Sequence, residues 1–186
     1  MILKRLIFFS FLVPALLIFL SGCGYKFRAD GEPVGIDIRS IAIPMVESSS
    51  SEKGFEADFT TVLRNEFISH ARVPLKNKDQ ADMVLNVEVY EISTKPLTYD
   101  STRTSVSGRV VTHETTSSRR LILRLNASLI DSSSGKAVWN DSSMTEEAGY
   151  AVTADPLVNR KNQKDALIKI ARLLSQRIYN RTMERF

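Results

Sequence analysis

The sequence predicts an α/β fold of the α+β kind: a single mixed β-sheet of about four strands with two helices packed on one face. Three observations carry this. Phe55, Phe59, Val62, Leu63 and Phe67 recur at steps that line one face of a helix, and Leu167, Ile170, Ala171, Leu174 and Ile178 do the same near the C-terminus. Between them, Met83, Leu85, Val87 and Val89 occupy alternate positions, as do Leu121, Leu123, Leu125, Ala127 and Leu129, which is the period of strands with one buried face. With a further β-branched segment near the start, the element order reads β-α-β-β-β-α, and few strands with helices on one side make a two-layer domain.

The N-terminus reads as an export signal. Lys4 and Arg5 precede a 15-residue apolar run, Leu6–Leu20, and the small residues Ser21 and Gly22 follow it. The run contains Pro14 and is shorter than the roughly 20 residues that span a bilayer. Leu20, Ser21, Gly22 and Cys23 together resemble the bacterial lipobox, in which the cysteine sulfur receives a diacylglycerol and the new amino terminus is acylated. Cys23 is the only cysteine, so it has no partner for an internal disulfide. The expected organisation is a cleaved signal peptide over 1–22, a lipidated tether over 23–35 and one domain over 36–186. No cofactor is expected beyond the diacylglycerol and N-acyl lipid on Cys23. Gly24 rather than aspartate follows the cysteine, which in lipobox sorting is an outer-membrane address.

The 164 residues from Cys23 onward make one domain of ordinary size, able to bury about 70% of its unfolded surface. The formal charge of the whole chain is +4, and loss of Lys4 and Arg5 with the leader lowers it to +2. Any basic function must therefore come from local clustering.

In chain order, residues 24–35 are glycine-rich, with Tyr25 and Phe27 alternating as at the start of a strand. Arg39–Ile43 reads as a buried strand stopped by Pro44. Ser48–Ser51 form a loop, and Ser49 stands three residues before Glu52 as in a capping box. The first helix follows, its phenylalanine stripe read as packing on the sheet, and Val73 and Pro74 end it. Asn77–Gln80 is a polar turn. The strand from Met83 ends by Lys95 and Pro96, and the next runs from about Arg120 to Ile130. Asp131–Lys136 is a hairpin connection with Gly135 available for positive φ. A return strand starts at Ala137 and fades near Met144–Ala148. The C-terminal helix opens with Asp155 as cap and Pro156 in its first turn, and its buried stripe continues from Leu157 or Val158.

Residues 98–119 show no period. They are rich in Ser and Thr, carry Arg103, Arg109, His113 and Arg119, and hold few aliphatics. About twenty structureless residues are unusual inside a compact domain, so either the flanking strands extend into them as a long polar hairpin or they order against a partner. The C-terminal helix concentrates positive charge: residues 155–186 carry eight Lys or Arg against three acids. That face is either simply solvated or a surface for phosphorylated and acidic partners. Nucleic acid is not expected as a partner of a tethered envelope protein.

Catalytic equipment is not visible, and the chain is read as a non-enzyme. There is no phosphate loop, nucleophile elbow or zinc helix motif, and the two histidines, His70 and His113, are too few for a metal site. Glu146 and Glu147 are adjacent in a strand and so point to opposite faces, which prevents joint acid–base work.

Taken in order, Cys23–Phe27 after the lipobox, Ile41–Pro44, Ala81–Leu85, Asp131–Trp139 and the basic C-terminal helix resemble the LptE family of lipopolysaccharide-assembly lipoproteins. The resemblance implies an outer-membrane lipoprotein, anchored by membrane lipid on Cys23. It would plug and help assemble the LptD β-barrel and contact lipopolysaccharide moving to the outer leaflet, with its domain on the periplasmic side or inside the lumen. Under that reading Arg103, Arg109, Arg119 and Lys136 are the candidate contacts to lipopolysaccharide or barrel, guanidinium forks being suited to phosphate. The alternative is an outer-membrane lipoprotein serving as a partner-binding subunit of another envelope or secretion complex.

Overall fold

The computed structural model describes residues 38–106 and 109–183. The tether, the leader and Cys23 lie outside them. The elements are β1 (Ile41–Ala42), β2 (Glu47–Ser48), α1 (Glu56–His70), a 3₁₀ turn (Lys78–Gln80), β3 (Met83–Val106), β4 (Arg109–Asp131), β5 (Ala137–Ala151) and α2 (Pro156–Met183). The sheet is mixed and has five strands rather than about four. β3, β4 and β5 form an antiparallel meander, while β1 and β2 both lie parallel to β3 at its outer side. The expected Arg39–Ile43 strand is the two-residue β1, which ends before Pro44 as expected, and β2 beyond the proline is an additional short strand.

Alternation determines which face is covered. Leu85, Val87 and Val89 of β3, Leu121, Leu123, Leu125 and Leu129 of β4, and Trp139, Met144 and Ala148 of β5 are buried with Phe59, Leu63 and Phe67 of α1 and Ile170, Leu174 and Ile178 of α2 in one core. Each fully buried aliphatic of this kind contributes about 1.5–3 kcal/mol. The opposite sheet face is left to polar pairs. Arg124 donates to Glu91, directly opposite on β3, at 2.9 Å, and Arg120 lies 3.2 Å from Glu147, its diagonal neighbour on β5, so oppositely charged residues meet across adjacent strands.

Helix α2 is fixed at both ends by its own polar residues. At its start the Leu157 N–H donates to Asp155 Oδ1 at 2.8 Å, and Asn159 exchanges hydrogen bonds with Thr153. Along its length Arg177 reaches Glu146 at 2.7 Å and Arg181 reaches Asp141 at 2.8 Å, the latter guanidinium also lying 5.7 Å from the Trp139 ring centroid. Glu146 faces the helix while Glu147 pairs with Arg120 on the other face, as their adjacency in a strand requires. Two of the helix's basic side chains, Arg177 and Arg181, are therefore spent in holding it to β5.

Four local expectations are corrected. First, α1 begins at Glu56 without the Ser49–Glu52 capping box. The serines bond one another and the Glu52 carbonyl, and Gly54 at φ +91° turns the chain so that its N–H donates to Glu56 Oε2. Second, β3 does not stop at Lys95 and Pro96. Pro96 sits on the side of β3 that no strand covers, at a register shift, where a missing N–H costs no ladder bond. Third, β5 continues past Ala148 to Ala151 because β4 offers it pairs as far as Ser118. Fourth, Leu157 and Val158 do not join the buried stripe: Leu157 is 75% exposed, because the first turn of α2 extends beyond the sheet it packs on.

The Asp131–Lys136 turn forms as expected, with Gly135 at φ +66°. Asp131 Oδ1 accepts from the Ser133 hydroxyl and from the N–H groups of Ser133 and Ser134, and these bonds hold its carboxyl below the usual carboxylate range. A depressed folded pKa stabilises above the unfolded value and is lost as pH falls through the folded one. The Ser133 and Ser134 amide resonances should accordingly stay unchanged from neutral pH to about 4 and shift only below it, a transition that Asp131→Ala abolishes.

Candidate functional site

The segment without a sequence period is a β-ribbon. β5 ends opposite Ser118, and beyond that point β3 and β4 continue as eight consecutive pairs, from Tyr99↔Thr116 to Val106↔Arg109, with no third strand among the described residues. At about 3.4 Å per residue the ribbon reaches roughly 25 Å past the third strand. Its base is irregular: register shifts fall at Pro96/Thr98 and Thr98/Tyr99, and Thr98 Oγ1 meets the hydroxyls of Ser117 and Ser118 at 2.9 and 2.6 Å. Both faces are wet. Tyr99, Ser101, Arg103, Thr112 and Glu114 are exposed on one side and Asp100 and Thr115 on the other.

The four predicted contact residues do not form one cluster. Arg103 is exposed in the ribbon opposite Thr112, and Arg109 pairs with Val106 at its far end, its side chain lying outside the described residues. Arg119 is exposed at the ribbon base, between Pro96 and Tyr150. Lys136 lies in the turn at the other end of β4, roughly 70 Å of strand from Arg109. Arg103, Arg109 and Arg119 share one end of the sheet; Lys136 belongs to the opposite one.

A second concavity has no counterpart among the sequence expectations. Between the loop before α1 and the first half of α2 runs a groove of about 470 Å³, lined by the apolar Phe55, Phe59 and Leu167 and the basic Lys53, Arg160 and Lys164. Lys164 crosses it to Asp58 at 2.9 Å, and that carboxylate raises the lysine pKa. Its lining comes from two segments about a hundred residues apart, and neither carries a local motif. Among the described residues no group of three or more His, Cys, Asp or Glu is placed to hold a metal ion, and no helix is long and apolar enough to cross a membrane.

This architecture, from the first buried residue of the domain to the last turn of α2, corresponds to a known family. Residues 38–182 match the model described as LptE, lipopolysaccharide-assembly. The chain belongs to the LptE family. No curated protein matches it. Among solved structures, a Xanthomonas campestris protein is similar at TM-score 0.50 and 11% identity, over 80% of this chain and 89% of that one. A minor lipoprotein from Acinetobacter baumannii follows at 0.49 and 17%, covering 79% and 92% of the two chains. Rare lipoprotein B from Shewanella oneidensis aligns at 0.41 and 14%, covering 75% and 91%. At 11% identity the likeness to the Xanthomonas campestris protein is one of fold. The LptE match agrees with the family that the lipobox-adjacent residues, the Asp131–Trp139 hairpin and the basic helix resemble.

Proposed function

We propose that this LptE-family chain is an outer-membrane lipoprotein that plugs an LptD-like β-barrel, assists its assembly and contacts lipopolysaccharide on its way to the outer leaflet. Family membership supports the lipopolysaccharide-assembly role. The observation that carries the plug is the polarity of the domain along its long axis. β1 lies parallel to the start of β3, so the described chain enters at the end of the sheet that holds the Asp131–Lys136 turn. The ribbon projects from the other end. A polar ribbon at the end of the sheet opposite the one where the described chain enters suits a wet lumen, whose wall residues are themselves polar.

In this reading Cys23 holds the domain to the membrane, and Arg103 and Arg109 present guanidinium groups to lipopolysaccharide phosphates, with Arg119 behind them at the ribbon base. Lys136, at the opposite end of the sheet, contacts the barrel or lipopolysaccharide separately from the arginines. The work is binding and positioning rather than covalent chemistry. Joint replacement Arg103→Ala and Arg109→Ala should weaken lipopolysaccharide binding by roughly tenfold at low salt, with the difference shrinking as ionic strength rises. Binding that is unchanged, or equally insensitive to salt in both proteins, contradicts the contact.

A further inference from the structure

We propose that the outer edge of β4 from Arg109 to Thr116 is the seat of a partner's β-strand, laid in the line that β5 vacates at Ala151. From Ser118 to Ile130, β4 is paired on both sides. The Val152 N–H makes the last bond, to the Ser117 carbonyl, and the chain then leaves for α2. Beyond that point β4 has only β3 as a strand neighbour among the described residues. In an antiparallel strand, alternate residues send both N–H and C=O away from their partner, so this edge presents a row of outward donors and acceptors.

The other edges of the sheet are managed. On β5, the carbonyls of Thr145 and Ala151 accept from Arg177 and Asn162 of α2, and a register shift near Asp141 turns the Ser143 N–H onto the Asp141 carboxylate. β1 is bonded on its outer side by Pro74 and Lys76. β3 carries Pro96 and extra residues at Tyr90 and Leu97 between β2 and the ribbon, while the one extra residue of β4 against β3, Ser117, falls just outside Arg109–Thr116 and not within it. Among the described residues, Arg109–Thr116 meets none of these devices. Its pairing with β3 is regular throughout, it contains no proline, and Val110, Val111, Thr112, Thr115 and Thr116 are β-branched.

A two-stranded ribbon wet on both faces is marginal alone, and a third strand is what stabilises it. The chemistry that matches a regular row of backbone groups is another backbone, which identifies the occupant as an extended polypeptide segment. Its assignment to the barrel rests on the plug reading; the pairing itself does not.

The test is hydrogen exchange, read residue by residue, on the lipidated full chain extracted from membranes with its bound proteins. Pairing predicts that every amide from Arg109 to Thr116 is slow, the outward ones included. An open edge leaves every second amide exchanging at least tenfold faster than its neighbours, and that alternation in the extracted protein would overturn the pairing. The two readings fail separately. Uniform protection without a co-extracted barrel keeps the strand seat and removes the plug, while a co-extracted barrel with alternating exchange keeps the plug and removes the seat.

Discussion

Replacing Leu125 with alanine should lower the free energy of unfolding by about 3 kcal/mol, within the roughly 2–5 kcal/mol span of buried leucine truncations. Leu125 is fully buried at the middle of the central strand, paired with Val89 on one side and Met144 on the other, in the core shared with α1 and α2. A cavity there has walls from three strands and cannot collapse without moving the sheet. Since domains of this size are stable by only about 5–15 kcal/mol, the loss is a large fraction of the total. Denaturant unfolding of the purified chain measures it as a lower midpoint at unchanged slope. A change below about 1 kcal/mol would mean that the sheet and helices are not packed as described.

The second large effect concerns the membrane. Cys23→Ala removes the proposed acylation site, and with it about 0.8 kcal/mol for every methylene that would be buried in the bilayer. The variant should retain its leader, lack the mass of the lipid and be lost from the outer-membrane fraction. Intact mass and fractionation measure both. A wild-type chain that is cut ahead of Cys23 but carries no lipid would contradict the anchor.

The covered part of the fold is legible in the sequence and the uncovered part is not, for one physical reason. Periodicity records burial. Leu121, Leu123, Leu125 and Leu129 announce β4 because one face of that strand meets helices, and the Phe59, Leu63 and Phe67 stripe announces α1 in the same way. In the ribbon the described side chains of both faces meet water, so nothing there imposes alternation, and a long hairpin is only one of the two readings the composition of residues 98–119 allows. Pro96 reads as a strand end because its unpaired side is not visible from the chain alone. Leu157 reads as core because helical spacing does not say where the sheet beneath a helix stops.

Of the candidate site, the arginines of the ribbon stand out by composition. Their separation from Lys136 is not accessible that way, because it depends on β3 and β4 each running more than twenty residues without a break. The ion pairs of Arg177 and Arg181 are likewise hidden in a helix whose charge suggests a binding surface. They show that a basic face can be structural. The groove between the helices depends on packing between distant segments and has no local signature.

The central claim is that this LptE-family domain sits inside a barrel. It is tested most directly by purifying the tagged, lipidated chain from detergent-extracted membranes and identifying what remains bound after washing. The account predicts one large untagged outer-membrane β-barrel in equal amount, within which residues of the ribbon are shielded from protease. Recovery of the chain with only a periplasmic protein, or alone with its ribbon readily cleaved, would contradict it.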